Sequence, residues 1–171
     1  MKILVLNGSP TKNGNTVALV NAFKNGAQSK GHDITVIDVA YKKVNGCMSC
    51  GYCHGQGNGR CAQQDDMQQL YPLIQEADMI VFASPVYYFT MSAQLESVIQ
   101  RFYAINHPAN ARYSALLLSS YSSDVYNGAI HQYKDMIAYM GITDKGIITA
   151  DNSTNKTPEK LAEAKNLGAS L

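Results

Sequence analysis

Short apolar runs alternate along the whole chain with longer segments of helical period. Five runs are predicted as strands: residues 3–6, 34–39, 79–83, 115–118 and 146–149. Helical spacing is found over residues 16–30, 65–77, 92–104, 126–140 and 158–167. A helix between two strands is the usual connection in a parallel sheet, and uninterrupted apolar strands are typical of a sheet buried on both sides. The alternation therefore predicts an α/β fold, a doubly wound parallel sheet with helices on both faces.

Composition and charge restrict the classes of partner. The 171 residues are 46% hydrophobic and 16% charged, which favours one folded domain over residues 1–171 and excludes a disordered chain. The net charge is only +1, so nothing in the charge balance favours a nucleic acid or an anionic membrane as partner. No stretch approaches the roughly 20 apolar residues of a membrane span. We expect a cytoplasmic protein without a nucleic-acid or membrane partner.

In a doubly wound sheet, ligands bind where the strands end, so the loops after Leu6, Ala83 and Leu118 are the candidate site. The first loop reads Asn-Gly-Ser-Pro-Thr-Lys-Asn-Gly-Asn-Thr over residues 7–16. Its hydroxyls and free backbone N–H groups at the start of a helix suit a phosphate. It matches neither a Walker A loop nor G-x-G-x-x-G. The alternative is an ordinary turn with Asn15 or Thr16 as the helix cap.

The second and third loops are aromatic and polar respectively. Pro85 and Val86 are followed by three aromatic residues in a row, whose faces can pack on a flat heterocycle, with backbone N–H groups available to it. The alternative is that these rings fill the core or a subunit contact. Ser119 and Ser120 begin a serine-rich loop, which could equally be a solvated turn before a helix cap at Asp124.

All four cysteines lie within a Gly-rich segment at about residues 45–63, with spacing x2, x2 and x7. They are Cys47, Cys50, Cys53 and Cys61. Four thiolates suit an iron–sulfur cluster. A structural Zn site, with His54 as a further donor, and four reduced thiols are the other interpretations.

Three segments together resemble the flavodoxin-like NAD(P)H-dependent FMN reductases, in the branch of the iron–sulfur flavoproteins and their cluster-free relatives. These segments are the first loop, the aromatic loop after Ala83 and the segment with the four cysteines. The resemblance implies a flavodoxin-like strand order of 2-1-3-4-5 and bound FMN. It implies phosphate ligands at Ser9, Thr11, Asn15 and Thr16, and flavin contacts at Pro85, Val86, Tyr87, Tyr88, Ser119 and Ser120. Many relatives have Arg at the position of Thr11, so a cation is missing here unless Lys12 replaces it. The four cysteines would hold a [4Fe–4S] cluster.

The resemblance also implies a reaction. Electrons would pass from NAD(P)H, as co-substrate, through FMN to a small acceptor: a quinone, a nitro or azo compound, or a flavin. The flavin N5 would carry the chemistry, so no catalytic side chain is assigned. A redox protein is the other class of partner, and a homodimer or homotetramer is expected. Two alternatives stay open: an iron–sulfur electron carrier that accepts electrons from ferredoxin, and a flavin-free Zn or thiol regulatory module.

Overall fold

The computed structural model describes residues 1–171 and contains a five-stranded parallel sheet of order β2-β1-β3-β4-β5. The strands are β1 (Lys2–Asn7), β2 (Asp33–Asp38), β3 (Met79–Pro85), β4 (Tyr113–Ser119) and β5 (Thr143–Ala150). The helices are α1 (Asn15–Gln28), α2 (Met67–Glu76), α3 (Ala93–Arg101), α4 (Asn127–Tyr139) and α5 (Pro158–Ala169). The predicted fold class and strand order are thus confirmed.

The sheet separates two hydrophobic cores. Ile3 and Val5 face one side, with α1 and α5, while Leu4 and Leu6 face the other side, with α2, α3 and α4. This assignment follows from the alternation of side chains along a strand. Both faces are covered, which explains why the central strands read as unbroken apolar runs. The polar residues at the strand ends are left at the edges of the sheet.

Two glycines allow α1 and α5 to touch. A Cβ at Gly26 would overlap the backbone carbonyl of Lys165, and a Cβ at Gly168 would overlap that of Phe23. The backbones of the two helices therefore approach more closely than any larger side chain permits. This contact fixes the last turns of α5 against the last turns of α1. At the other end of the two helices, Lys156 in the loop before α5 contacts Asn13 in the first loop.

Several local details differ from the sequence predictions. The N-cap of α1 is Gly14 rather than Asn15 or Thr16, and α4 begins after Tyr126 rather than after a cap at Asp124. The helix α2 continues through Pro72, and α3 ends at Arg101 before a 3-10 turn at Phe102–Ala104. Further 3-10 turns are found at Val39–Tyr41 and Tyr52–His54. The predicted cap Thr157 is confirmed, because its side chain accepts a hydrogen bond from Lys160 N.

None of the helices has the length and apolar character that crossing a membrane requires.

Candidate functional site

A cleft of about 480 Å³ lies at the carboxyl edge of the sheet. Four loops form it, following β1, β3, β4 and β5. Nine of the ten predicted binding residues line it: Ser9, Thr11, Asn15, Thr16, Pro85, Val86, Tyr87, Ser119 and Ser120. The residues that sequence reasoning missed are Gly14, Tyr121, Asn152 and Asn155. None of the lining residues carries a formal charge, and the volume is within the range of about 300–1,000 Å³ typical of ligand sites.

The start of α1 supplies free hydrogen-bond donors to this cleft. The amide of Ala18 donates to the Gly14 carbonyl, and the three preceding amides, of Asn15, Thr16 and Val17, make no hydrogen bond within the protein. The N-cap Gly14 has no side chain that could satisfy them. Unpaired N–H groups at the positive end of a helix dipole form an anion site.

The concave shape of the first loop depends on glycine. A Cβ at Gly14 would lie 3.0 Å from both Cβ and the carbonyl oxygen of Thr11 and would project into the loop. A Cβ at Gly8 would overlap the Ser92 hydroxyl and lie 2.8 Å from Leu95 Cβ. The loop therefore packs directly on the start of α3. Any larger residue at either position would push it outward.

Hydrogen bonds from β1 hold the first loop in place. Asn7 Nδ2 donates to Asp38 Oδ1 at 2.8 Å, and Asn7 Oδ1 accepts from the Ser9 amide at 3.1 Å. On the outer side, the Tyr41 hydroxyl donates to the Pro10 carbonyl at 2.8 Å. These three hydrogen bonds within the protein fix the backbone of the first loop, and with it the direction of its N–H groups.

Two buried hydroxyls join the first and third loops. Thr16 Oγ1 lies 2.7 Å from Ser119 Oγ, and the two residues are 1% and 4% exposed. The pair links the first turn of α1 to the end of β4. The predicted residues Thr16 and Ser119 are therefore neighbours at the floor of the cleft.

The loop between β5 and α5 closes the cleft from the side. Asn155 Nδ2 donates to the Ser120 carbonyl at 2.8 Å, while Asn155 Oδ1 is buried without a hydrogen-bond partner. Lys156 Nζ donates to the Asn13 carbonyl at 2.8 Å, which places a cation beside the first loop. Lys12, considered from sequence as a replacement for the missing arginine, instead lies over the Tyr41 ring. The only sequence signal for Asn155 and Lys156 was that a polar stretch follows the fifth strand.

The aromatic loop after β3 forms a tight turn. Tyr87 and Thr90 pair with each other, and the residues between them, Tyr88 and Phe89, have φ angles of 47° and 67°. Two positive φ angles define a type I′ turn, which normally contains Asn or Gly. Tyr88 is 97% exposed and lies outside the cleft, unlike the other predicted residues.

Two of the backbone donors expected in the aromatic loop are already used within the protein. The Val86 amide donates to the Ser119 carbonyl at 2.8 Å, and the Tyr87 amide donates to the Thr90 carbonyl at 3.0 Å. The expectation that backbone N–H groups here face a ligand is therefore wrong for these two residues. The Val86 bond instead fixes the second loop to the third.

The four cysteines line one separate pocket, near the end of α3. Cys47 and Cys50 are exposed, Cys53 is buried, Cys61 is half-buried, and none forms a disulfide. The side chains are not arranged as a group of three or more metal ligands. The donor set is nevertheless made only of thiols, which is the chemistry of zinc and iron–sulfur sites.

Arg101 lines the same pocket and is 1% exposed. Its Nη1 donates to Asp65 Oδ2 at 2.6 Å and to the Asn45 carbonyl at 3.0 Å. Burial acts to lower the pKa of the guanidinium, but Asp65 and Tyr71 together raise that pKa above its ordinary value. Arg101 is therefore a permanent buried cation beside the cysteines.

The pKa values of two neighbouring groups reflect this cation. Burial acts to raise the pKa of Asp65, but the hydrogen bond from Arg101 and those from the backbone hold it below its ordinary value. For Tyr71, burial dominates and raises the pKa to about 12 in spite of Arg101. The pair of Arg101 and Asp65 is thus ionised at neutral pH.

Comparison with known proteins finds a matching family and curated relatives. The sequence model of the NADPH-dependent FMN reductases matches residues 1–153. A protein of Archaeoglobus fulgidus, described as an iron–sulfur flavoprotein, is 36% identical over 107 residues, covering 63% of this chain and 48% of the relative. The chain spans about half the length of the curated relatives it matches first.

Solved structures share the fold at low sequence identity. RosB, crystallised with 8-demethyl-8-formylriboflavin-5′-phosphate, has a TM-score of 0.80 and 12% identity, covering 99% of this chain and 76% of that chain. An azoreductase from Bacillus anthracis has a TM-score of 0.76 and 16% identity, covering 100% of both chains. At these identities the likeness concerns the fold.

Proposed function

We propose that this chain is an FMN-dependent oxidoreductase, because it belongs to the family of NADPH-dependent FMN reductases. It would take electrons from NAD(P)H and pass them to a small acceptor. The acceptor class that we propose is a quinone, a nitro or azo compound, or a free flavin. The site at the carboxyl edge of the sheet would hold the FMN. The observation that carries the proposal is the set of three unpaired amides at the start of α1.

The residues present fit the phosphate of FMN. The amides of Asn15, Thr16 and Val17 have no partner in the protein, and a Cβ at Gly14 would crowd Thr11 at 3.0 Å in the loop in front of them. Lys156 places a cation beside the first loop, through its bond to the Asn13 carbonyl. Neutral donors together with a helix dipole bind phosphate without an arginine in the loop.

The remainder of the cleft fits a flat polar ring. Pro85, Val86 and Tyr87 of the second loop line it, together with Tyr121 of the third loop and Asn152 of the fourth. Asn155 Oδ1, buried and without a partner, is an acceptor available to a ring N–H group. These side chains would orient the ring and exclude water from one side of it. Bound FMN would supply the electron-transfer chemistry, while the protein supplies position and electrostatics.

Binding of FMN can be measured by titrating the protein and following flavin fluorescence. Thr16→Val removes a hydroxyl from the phosphate end of the cleft. A hydrogen bond to a charged group contributes about 1.5–3 kcal/mol, so the variant should bind FMN about tenfold more weakly or worse. Riboflavin has no phosphate, so its affinity should change much less. The ratio between the two ligands therefore reports on the phosphate site.

Thr35→Val is a matched control, because Thr35 is exposed near the middle of the edge strand β2 and does not line the cleft. It should bind FMN like the unmodified protein. If the unmodified chain binds neither FMN nor riboflavin, the proposal is wrong. If Thr16→Val weakens both ligands equally, the substitution acts through the lost Thr16–Ser119 hydrogen bond that joins the first and third loops, and the hydroxyl does not contact the phosphate.

The electron donor is tested by steady-state oxidation of NADH and of NADPH by the FMN-loaded protein, with a quinone or an azo dye as acceptor. Turnover with either nucleotide is the expected result. A protein that binds FMN but oxidises neither nucleotide would be an electron carrier rather than a reductase.

A second candidate function is electron transfer through an iron–sulfur centre to FMN. It is favoured by one observation, the presence of all four cysteines around one pocket with a buried cation. Thiol-only donors and a neighbouring guanidinium fit a thiolate-bound iron centre in their chemistry. Anaerobic purification followed by iron and acid-labile sulfide assays tests this function. Zinc at one equivalent in a colourless protein would instead support the regulatory module.

A further inference from the structure

Arg101 has two nitrogen atoms without hydrogen-bond partners in a fully buried position. Nη1 makes both of the hydrogen bonds of the guanidinium, whereas Nε and Nη2 are buried and unpaired. A guanidinium has five N–H donors, and leaving buried donors unused is unfavourable. Two unused donors on a permanent cation therefore indicate an acceptor, of anionic character, that joins this side chain in the functional state.

The pocket that Arg101 borders contains the acceptors that it lacks. Of the residues that line this pocket, Arg101 is the only one with a formal charge, and the four cysteines supply all the groups able to become anionic at moderate pH. A divalent cation held by four thiolates has a net charge of about −2. On the inner side of the pocket, where Cys53 and Arg101 are buried, a centre of this kind would be unfavourable without a cation beside it.

Arg101 and Asp65 also hold the two ends of the cysteine segment. Arg101 donates to the Asn45 carbonyl, while Asp65 Oδ2 accepts from the Asn45 amide at 3.1 Å. Gln63 Nε2 donates to the Gly46 carbonyl at 3.0 Å. The segment is thus a loop closed at its base by this ion pair. A change in Arg101 acts on the geometry of the loop as well as on its charge.

We propose that Arg101 is a positioning residue for an anionic thiolate centre formed by Cys47, Cys50, Cys53 and Cys61. When a metal cation gathers the four sulfurs, Nε and Nη2 donate hydrogen bonds to them. The thiol protons leave to solvent, and Arg101 keeps its charge throughout. The inference rests on the second candidate function, the cysteine centre, and is independent of FMN binding.

The test is a titration of the reduced full-length chain with Cd²⁺ under anaerobic conditions, followed by the ultraviolet absorbance of cadmium thiolates. Substitution of a residue that supports the metal ligands typically costs about 10–100-fold in metal affinity, and we expect a loss in this range for Arg101→Gln. Arg101→Lys keeps the charge but loses the planar donors, so its loss should be intermediate. Arg60→Gln is the matched control, because Arg60 is in the same segment but exposed. Its affinity should stay within about twofold, since surface charge is screened.

Two results would overturn the proposal, and they differ in meaning. If Cys53→Ser binds Cd²⁺ as tightly as the unmodified chain, the four cysteines do not form a single centre. If Cys53→Ser loses binding but Arg101→Gln does not, the centre exists and Arg101 has no part in it. An FMN titration of the same samples separates both outcomes from a failure of the proposed reductase function.

A second measurement does not depend on how well the Arg101 variants fold. The chain contains three arginines, Arg60, Arg101 and Arg112, so three Nε–H resonances are expected in the NMR spectrum. Arg60→Gln and Arg112→Gln assign two of them and leave that of Arg101. Addition of Cd²⁺ to the unmodified protein should shift the Arg101 resonance and slow its exchange with water. An unchanged resonance in cadmium-saturated protein would refute the proposal.

Discussion

Asp65→Asn is the substitution for which the structure gives the clearest expected magnitude. The Asp65 carboxylate accepts from Arg101 Nη1 at 2.6 Å and from the amides of Asn45 and Met67, each at 3.1 Å. The side chains of Arg101 and Asp65 are only 1% and 9% exposed. Asparagine keeps the shape of the side chain but removes its negative charge. The guanidinium would then remain buried without a counter-ion.

Removal of one partner from a buried ion pair typically costs about 3–5 kcal/mol. Urea denaturation measures this cost as a shift of the unfolding midpoint. With a slope of about 2 kcal/mol per molar urea, the midpoint should fall by about 1.5–2.5 M. The Asn45 amide donates to Oδ2 and the Met67 amide to Oδ1, so the single side-chain oxygen of asparagine can keep only one of these two bonds. The loss should therefore include one backbone hydrogen bond as well as the charge.

An exposed ion pair provides the control. Lys2 Nζ lies 3.2 Å from Glu76 Oε2, with side chains 62% and 63% exposed. Because solvent screens such pairs, Glu76→Gln should cost less than about 1 kcal/mol. If Asp65→Asn costs no more than this control, the reasoning from burial is wrong.

The pH dependence of the unfolding free energy provides a second test of the ion pair between Asp65 and Arg101. The pKa of Asp65 is lower in the folded protein than its ordinary value of 3.8. A lowered pKa means that the carboxylate contributes its stability above about pH 4, and that this contribution is lost as the pH falls toward the folded pKa. The difference in unfolding free energy between the unmodified protein and Asp65→Asn should therefore be constant near neutral pH and shrink below about pH 4. A difference that grows on acidification would contradict the assignment.

Three other substitutions test separate features. Gly26→Ala should lower the free energy of unfolding by about 1–3 kcal/mol in urea denaturation, because its Cβ would overlap the Lys165 carbonyl. Tyr88→Gly should raise the same quantity by about 0.5–1 kcal/mol, since Tyr88 has a φ of 47° and its side chain is solvent-exposed. Lys156→Gln should weaken FMN binding about two- to fivefold and make it less sensitive to salt, because the ammonium lies beside the first loop at Asn13. A fluorescence titration at two salt concentrations measures the last effect.

The location of the candidate site could be predicted from the sequence because it depends on local features. A polar loop with glycines between an apolar run and a helix identifies the start of α1, and nine of the ten residues chosen from such loops line one cleft. The position of Tyr88 could not be predicted, because it depends on the turn that this residue forms. An uninterrupted row of aromatic residues gives no sign that Tyr88 and Phe89 have positive φ angles.

The chain's periodicity determined the α/β class, and the loop sequences determined which end of the sheet bears the site, because both are properties of neighbouring residues. The tertiary structure alone decided the pairings of Lys156 with Asn13, Arg101 with Asp65 and Thr16 with Ser119, which are 143, 36 and 103 residues apart. Such contacts depend on sheet register and on the close approach of α1 and α5, and no local pattern encodes either. The burial of Arg101, and hence its unpaired donors beside the cysteines, is a consequence of that packing.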